Sequence, residues 1–99
     1  MKGAVVGFKA AKRQVLAALA DGSYRHEARN EIEIKNLLLM GDISPEQVSE
    51  IIKKSTGKDH SMSPHHAMPA VTVHTIVCLS WYVKFYFVDP DTVFISVHQ

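Results

Sequence analysis

Residues 71–97 consist mainly of β-branched and aromatic side chains, which fit the pleated surface of a sheet better than they fit a helix. Three runs within this segment, at 71–79, 81–88 and 92–97, predict three strands. Asp89-Pro90-Asp91 has the composition of a turn and separates the last two runs. Because the connections are short, the strands should form an antiparallel meander.

The first half of the chain carries helical periodicity instead. Apolar residues recur every three or four positions over 8–20, and the pattern stops at a glycine. A second helix is predicted over 27–40, although the alternation at 31–35 also fits a short strand. A third helix is predicted from the capping sequence at 44–47 to the Thr-Gly pair at 56–57.

This order of elements predicts one domain over 1–99 with an α+β fold. Two or three N-terminal helices should pack on a C-terminal antiparallel sheet of about three strands. The expected core residues are Leu16, Leu19, Val48, Ile51, Ile52, Val83, Phe85, Phe87, Ile95 and Val97.

The predicted turn also determines which side chains share a face of the sheet. With a three-residue loop at 89–91, polar residues of the last two strands gather on one face. The apolar residues then form the opposite face, which the helices should cover. The predicted cross-strand pairs are Tyr82 with His98, Lys84 with Ser96, and Tyr86 with Phe94.

Two prolines exclude a regular helix or a central strand over 58–70, so this segment is predicted to be a loop. It carries His60, His65 and His66, and His74 follows shortly after. Imidazole can accept or donate a proton near neutral pH. Cleavage of RNA through its 2′-hydroxyl needs such transfers, together with a cation or hydroxyl that stabilises the phosphorane. The histidines therefore indicate acid–base chemistry on RNA as one interpretation.

Two other interpretations of these histidines remain open. Together with Asp59 they could bind a metal ion, although their spacing matches no zinc signature of the H-E-x-x-H kind. The only cysteine, Cys78, lies within an apolar strand. The histidines could also be exposed loop residues without a role.

The composition excludes several classes of protein. A net charge of +1 argues against binding nucleic acid by charge alone, and one cysteine excludes a disulfide scaffold. No apolar run approaches the ~18 residues that span a bilayer. Lys9, Lys12 and Arg13 end the N-terminal apolar patch too soon for a signal peptide. We therefore expect a cytoplasmic protein with no membrane partner.

Several short stretches resemble the MqsR-type toxins of the RelE-like superfamily, which belong to bacterial toxin–antitoxin systems. Gln14-Val15-Leu16 through Ala20-Asp21-Gly22 resembles the first helix and turn of that family. His60-Ser61-Met62-Ser63 resembles the Lys-Ser-Met-Thr stretch after its third helix. Tyr82-Val83-Lys84 and Val93-Phe94-Ile95-Ser96-Val97 resemble its closing strands. The order and spacing of these stretches agree with the family, apart from one small insertion at the last turn.

The resemblance implies a metal-independent endoribonuclease that cleaves mRNA, free or on the ribosome, without a cofactor. A cognate antitoxin would neutralise it. Tyr82 stands where the family has its active-site tyrosine, His60 where it has an active-site lysine, and His98 where it often has lysine. The family's glutamine has no clear counterpart among 69–74, and the low net charge is a further departure.

These arguments combine into one hypothesis for the site. Histidines of the 58–70 loop exchange protons with the 2′-hydroxyl and the leaving 5′-oxygen, a tyrosine hydrogen-bonds the phosphate, and a cation stabilises the charge. The loop must then fold over the polar face of the sheet. The alternatives are a non-catalytic, toxin-like interaction protein and a histidine-ligated metal-binding domain. The predicted catalytic residues are His60, His65, His66, Tyr82 and His98, and the predicted RNA-binding residues are Lys84, Lys9, Lys12 and Arg13.

Overall fold

Five strands form one mixed sheet in the computed structural model of the chain, which describes residues 7–27 and 36–99. The predicted α+β class is confirmed, but the sheet has two strands more than expected. The elements are α1 (Phe8–Asp21), β1 (Tyr24–His26), α2 (Leu37–Met40), α3 (Pro45–Lys54), a 3₁₀ turn (Gly57–Asp59), β2 (His60–Pro64), β3 (Thr72–Cys78), β4 (Trp81–Val88) and β5 (Asp91–His98).

The end of α1 and the start of α3 follow their sequence signals, whereas α3 ends at Lys54, before the Thr-Gly pair predicted to stop it. Gly22 adopts a left-handed conformation with φ of 82° and donates its N–H to the Ala18 carbonyl, which closes α1. At the start of α3, the Ser44 and Gln47 side chains each accept a hydrogen bond from the other's main-chain N–H. Of the helix predicted over 27–40, the described residues show only Leu37–Met40, and 28–35 lie outside them.

The strand order in the sheet is β1-β5-β4-β3-β2. β1 runs parallel to β5, and the other neighbours are antiparallel. β2 corrects the loop predicted over 58–70, because residues 60–64 pair with β3 along their whole length. Pro64 is compatible with this strand since it lies at the sheet edge and at the strand's last position.

The pairing of β4 with β5 contains an irregularity that the sequence did not predict. Tyr82 pairs with His98 and Lys84 with Ser96, as expected. The connection to β5 is shorter than predicted, so Tyr86 pairs with Val93 and the predicted pair of Tyr86 with Phe94 is wrong. A β-bulge between the two registers accommodates one extra residue of β5, Ile95.

The sheet has two faces of different character. Its helix-covered face carries large apolar side chains that pack against α1 and α3 in one core. Ile95 is buried as predicted, but the bulge places it in a smaller cluster with Val73, Tyr86 and Val93 on the opposite face, here called the far face. Most predicted core residues are buried, while Leu16 and Phe87 are half-buried against the core. The main core contains Val15, Leu19, Val48, Ile52, Ile76, Val83, Phe85, Phe94 and Val97.

A tight turn at Leu79 and Ser80 joins β3 to β4. Both residues have positive φ, 53° and 69°, which suits glycine or asparagine better than leucine. The Leu79 side chain is 59% exposed, so burial does not explain its presence there. Among the described residues, no helix has the length and apolar character needed to cross a membrane.

Candidate functional site

Two adjacent cross-strand pairs place polar side chains together on the far face. The rings of Tyr82 and His98 stack with centroids 4.9 Å apart and an angle of 20° between their planes. Lys84, two residues along β4 on the same face, pairs with Ser96 on one side and with Thr75 on the other. All five residues are half-buried, so their polar atoms remain near solvent. A phenol, an imidazole and an ammonium group are thus neighbours on one surface.

The tautomer of His98 follows from its main-chain contact. Its Nδ1 lies 3.0 Å from the carbonyl oxygen of Gln99. A carbonyl can only accept a hydrogen bond, so Nδ1 carries the proton in this contact. In the neutral imidazole, Nε2 is then the nitrogen with the free lone pair. His98 can therefore act as a general base through Nε2.

His65 lies at the other end of the far face and is fully engaged in hydrogen bonds. Its Nδ1 accepts from the main-chain N–H groups of Ala67 and Met68, at 3.0 and 3.2 Å. Its Nε2 donates to the carboxylate of Glu27 at 2.7 Å, and its side chain is 3% exposed. Both ring nitrogens are occupied, so His65 holds the loop after β2 against the sheet and cannot carry protons to a substrate in this arrangement.

Glu27 also anchors Tyr86, a partnership that the sequence did not reveal. The Tyr86 hydroxyl donates to Glu27 Oε1 at 2.9 Å, and its ring packs edge-on against His65. Burial, reinforced by this carboxylate, raises the pKa of Tyr86 to about 12, so its hydroxyl remains a neutral donor. Glu27 stands at the predicted start of a helix, and nothing in the local pattern indicated a contact with residues so far along the chain.

His66 is exposed and stacks on His65, with ring centroids 4.6 Å apart. It is therefore near Tyr86, which is four residues from Tyr82 along β4. At the rise of a strand, four residues correspond to ~13 Å. His66 shares the far face with Tyr82 and His98 but is displaced from them along the strands.

His60 lies on the helix-covered face, contrary to the predicted site. It pairs with Ile76, which in turn pairs with the core residue Val83, whereas Tyr82 pairs with Val77. Consecutive residues of a strand point to opposite faces, so His60 and Tyr82 are on opposite sides of the sheet. The predicted convergence of these two residues is wrong because residues 60–64 form a strand and do not fold over the far face.

His60 instead contacts His74, which the hypothesis for RNA cleavage did not use. Nε2 of His60 and Nδ1 of His74 are 2.9 Å apart. Burial, with a smaller contribution from His60, lowers the pKa of His74 to about 4, and burial also lowers the pKa of His60. Both imidazoles are therefore neutral at pH 7.

The predicted RNA-binding residues divide between the two sides of the sheet. Lys9 and Arg13 are exposed on α1, which packs on the helix-covered face. Lys12 Nζ donates to the carbonyl oxygens of Lys53 and Ser55, both at 2.9 Å, and so satisfies the C-terminal end of α3. Only Lys84, among the four predicted residues, shares a face with Tyr82 and His98.

The predicted metal ligands are divided in the same way. His60 and His74 lie on one face, and His65 and His66 lie on the other. The Asp59 carboxylate accepts the main-chain N–H of Thr56 at 2.8 Å. Within 7–27 and 36–99, no three histidine, cysteine, aspartate or glutamate side chains are placed to hold one metal ion. The single cluster expected from the sequence is not formed there.

Comparison of the chain with models of protein families, with curated proteins and with solved structures gave no match.

Proposed function

We propose that this protein is a metal-independent endoribonuclease toxin, which cleaves mRNA in the cytoplasm and is neutralised by a cognate antitoxin. The observation that supports this most directly is the adjacency of Tyr82, Lys84 and His98 on the far face. The resemblance of the closing strands to the MqsR-type toxins includes Tyr82 and Lys84, and His98 stands where that family often has lysine. The proposed site differs from the hypothesis drawn from the sequence in that His60, His65 and His66 do not take part.

The three side chains match the requirements of cleavage through the 2′-hydroxyl. Nε2 of His98 removes the proton from the 2′-hydroxyl as O2′ attacks phosphorus. The Tyr82 hydroxyl donates a hydrogen bond to a non-bridging oxygen, and the Lys84 ammonium group neutralises the charge that develops on the phosphorane. The bond from phosphorus to the 5′-oxygen then breaks, and the leaving oxygen takes a proton from water. The products are a 2′,3′-cyclic phosphate and a free 5′-hydroxyl.

This chemistry needs no metal ion, because the lysine provides the positive charge. Half-burial of Tyr82 and Lys84 restricts their side chains while leaving room for a single RNA strand to lie across β4 and β5. Ser96 and Thr75, on either side of Lys84, offer hydroxyl groups that can position the adjoining phosphates.

One observation favours the alternative of a non-catalytic interaction protein. His66 and His98 are the far-face histidines that can reach a substrate, and only His98 adjoins Tyr82. The sequence predicted two proton-transfer groups at the site, and only one lies there. The strand β2 is an exposed sheet edge beside a shallow cleft lined by Met62, Ser63, Pro64, Pro69 and Thr72. Such an edge can bind a partner strand without any catalysis.

Induced expression in bacteria, combined with an assay of purified protein on single-stranded RNA, separates these functions. The toxin hypothesis expects growth arrest, and RNA cleavage that persists in EDTA and leaves a cyclic phosphate. Both effects should disappear in His98→Gln and persist in His66→Gln, which changes an exposed histidine of the same face. Normal growth with abundant folded protein, and no cleavage of RNA by it, would contradict the proposal and favour the interaction protein.

A further inference from the structure

The contact between His60 and His74 is independent of the proposed cleavage site, since it lies on the other face of the sheet. The nitrogens that face each other are 2.9 Å apart, and a neutral pair of imidazoles can place only one proton between them. His60 is half-buried at the sheet edge, whereas His74 is 2% exposed. When the bridging proton moves to the other nitrogen of its own ring, both facing nitrogens have free lone pairs and can bind one metal ion.

A third soft donor lies on the same face. Met62 is two residues from His60 along β2, and its direct cross-strand partner in β3 is His74. The two directly opposed side chains therefore have Cβ atoms ~5 Å apart. Met62 is 48% exposed, and its unbranched side chain has the rotational freedom to bring sulfur to the nitrogens. The three residues thus occupy neighbouring positions on the same face of two adjoining strands.

The surroundings of the pair are apolar. The Phe8 ring centroid is 5.5 Å from that of His60, and the rings of Phe85 and Phe87 lie 5.6 and 5.3 Å from His74. Imidazole and thioether donors contribute no negative charge, and three phenyl rings adjoin the pair, so a divalent ion would carry an uncompensated double charge there. A monovalent ion has a lower desolvation cost. Imidazole and thioether donors together favour Cu(I) among the biological metals.

We propose that His60, His74 and Met62 form a Cu(I) site at the β2–β3 edge of the helix-covered face. A metal bonded to both nitrogens at ~2 Å, in trigonal coordination, requires the nitrogens to be ~3.5 Å apart. The required opening is about half an ångström, and the edge position of β2 permits it.

The test is an anaerobic titration of the full chain with Cu(I) in competition with bicinchoninate, carried out in a Cys78→Ser background to remove the only thiol. We expect one ion per chain and an X-ray absorption spectrum with two nitrogen neighbours and one sulfur neighbour. His60→Ala should weaken binding at least ~100-fold, because even the loss of groups that support metal ligands costs ~10–100-fold. Met62→Leu should weaken binding less and remove the sulfur signal.

Matched controls distinguish this site from adventitious binding. Met68→Leu changes another exposed methionine and His66→Gln another exposed histidine, and both should bind Cu(I) as the parent does. Cu(I) should raise the melting temperature of the parent and of both controls, but not that of His60→Ala. Unchanged affinity in His60→Ala, an absent sulfur signal in the parent, or tighter binding of Zn²⁺ than of Cu(I) would each overturn the proposal. RNA cleavage by Met62→Leu should be unaffected, so the two functional proposals fail independently.

Discussion

His60 and Tyr82 pair with consecutive residues of β3, Ile76 and Val77, and therefore project from opposite faces of the sheet. A single catalytic site cannot contain both side chains. The pairing instead gives Tyr82 a partner on β5, His98, and gives His60 a partner on β3, His74. The histidines that are close together in the sequence thus serve two separate surfaces.

Replacement of His98 should abolish most RNA cleavage. His98→Gln removes the nitrogen base but keeps a polar side chain of similar length beside Tyr82. We expect a rate loss of ~10²–10⁴-fold, as is typical when a proton-transfer group is removed. Single-turnover cleavage of a short RNA measures the effect. Equal rates for His98→Gln and the parent, with unchanged circular dichroism, would exclude His98 as the base.

Tyr82→Phe and Lys84→Met should each slow cleavage by ~10²–10³-fold, since each removes one group that stabilises the phosphorane. Tyr86→Phe is the matched control for Tyr82→Phe, because Tyr86 is on the same strand and face but its hydroxyl donates to Glu27. It should destabilise the fold by ~1–2 kcal/mol while leaving the rate per folded molecule unchanged. A rate loss in Tyr86→Phe as large as that in Tyr82→Phe would point to an effect on the sheet and not on phosphate binding.

The stability of the protein should depend on pH through His74. Its pKa is lowered to about 4 in the folded state, so the unfolded chain binds more protons between that value and the ordinary histidine range near ~6.5. The free energy of unfolding is therefore highest above pH ~6.5 and falls by roughly 2–3 kcal/mol as the pH drops toward ~4. His60 and His26, whose pKa values burial also lowers, act in the same direction.

Urea unfolding at several pH values across this range measures the effect. His74→Phe, which preserves an aromatic ring next to Phe85 and Phe87, should flatten the profile. A parent protein with equal free energies of unfolding at both ends of the range would contradict the assignment.

Lys12 should matter for folding and not for RNA. Lys12→Met preserves most of the aliphatic chain but removes the two hydrogen bonds to the Lys53 and Ser55 carbonyls. We expect a loss of ~1–2 kcal/mol in the free energy of unfolding. The neighbouring Lys9→Met, at an exposed position of the same helix, should have no effect. Neither change should weaken RNA binding, which a filter-binding assay can check.

The β3–β4 turn offers a stabilising substitution. Leu79 occupies a left-handed conformation with φ of 53°, which costs ~1–2 kcal/mol for most residues with a side chain. Leu79→Asn should recover ~1 kcal/mol, because asparagine tolerates this conformation and the leucine side chain is largely exposed. A rise in the thermal midpoint, with cleavage unchanged, is the expected result. Leu79→Val, with a β-branched side chain, should lower the midpoint.

The sequence predicted those parts of the fold that depend on local signals. The capping residues Ser44 and Gln47 and the glycine at 22 marked helix ends. The pairing of Tyr82 with His98 was predicted from a three-residue loop, and it forms because the bulge compensates for a shorter connection. The bulge at Ile95 was not predicted, because the residues of β5 follow an ordinary strand pattern. The irregularity is visible only in how β5 pairs with β4.

Two features of the site depended on contacts distant in the chain. The strand at 60–64 contains a proline, and only its position at the sheet edge makes that residue acceptable. The hydrogen bond between His65 and Glu27 likewise forms only because the fold brings the residue after β1 next to the loop after β2. Sequence patterns identify histidines as candidates, but the hydrogen bonds at each ring nitrogen decide which of them can transfer a proton.

The interior position of β5 has a consequence for how the molecule comes to be folded. The strand lies between β1 and β4, so residues 24–26 near one end of the chain have no partner until residues 92–94 arrive. During synthesis, β1 and one edge of β4 must wait with unpaired backbone groups, and the main core lacks Phe94 and Val97. A nascent chain that stops at the β4–β5 turn should therefore be sensitive to proteases along its whole length, and protection should appear abruptly once β5 has emerged from the ribosome.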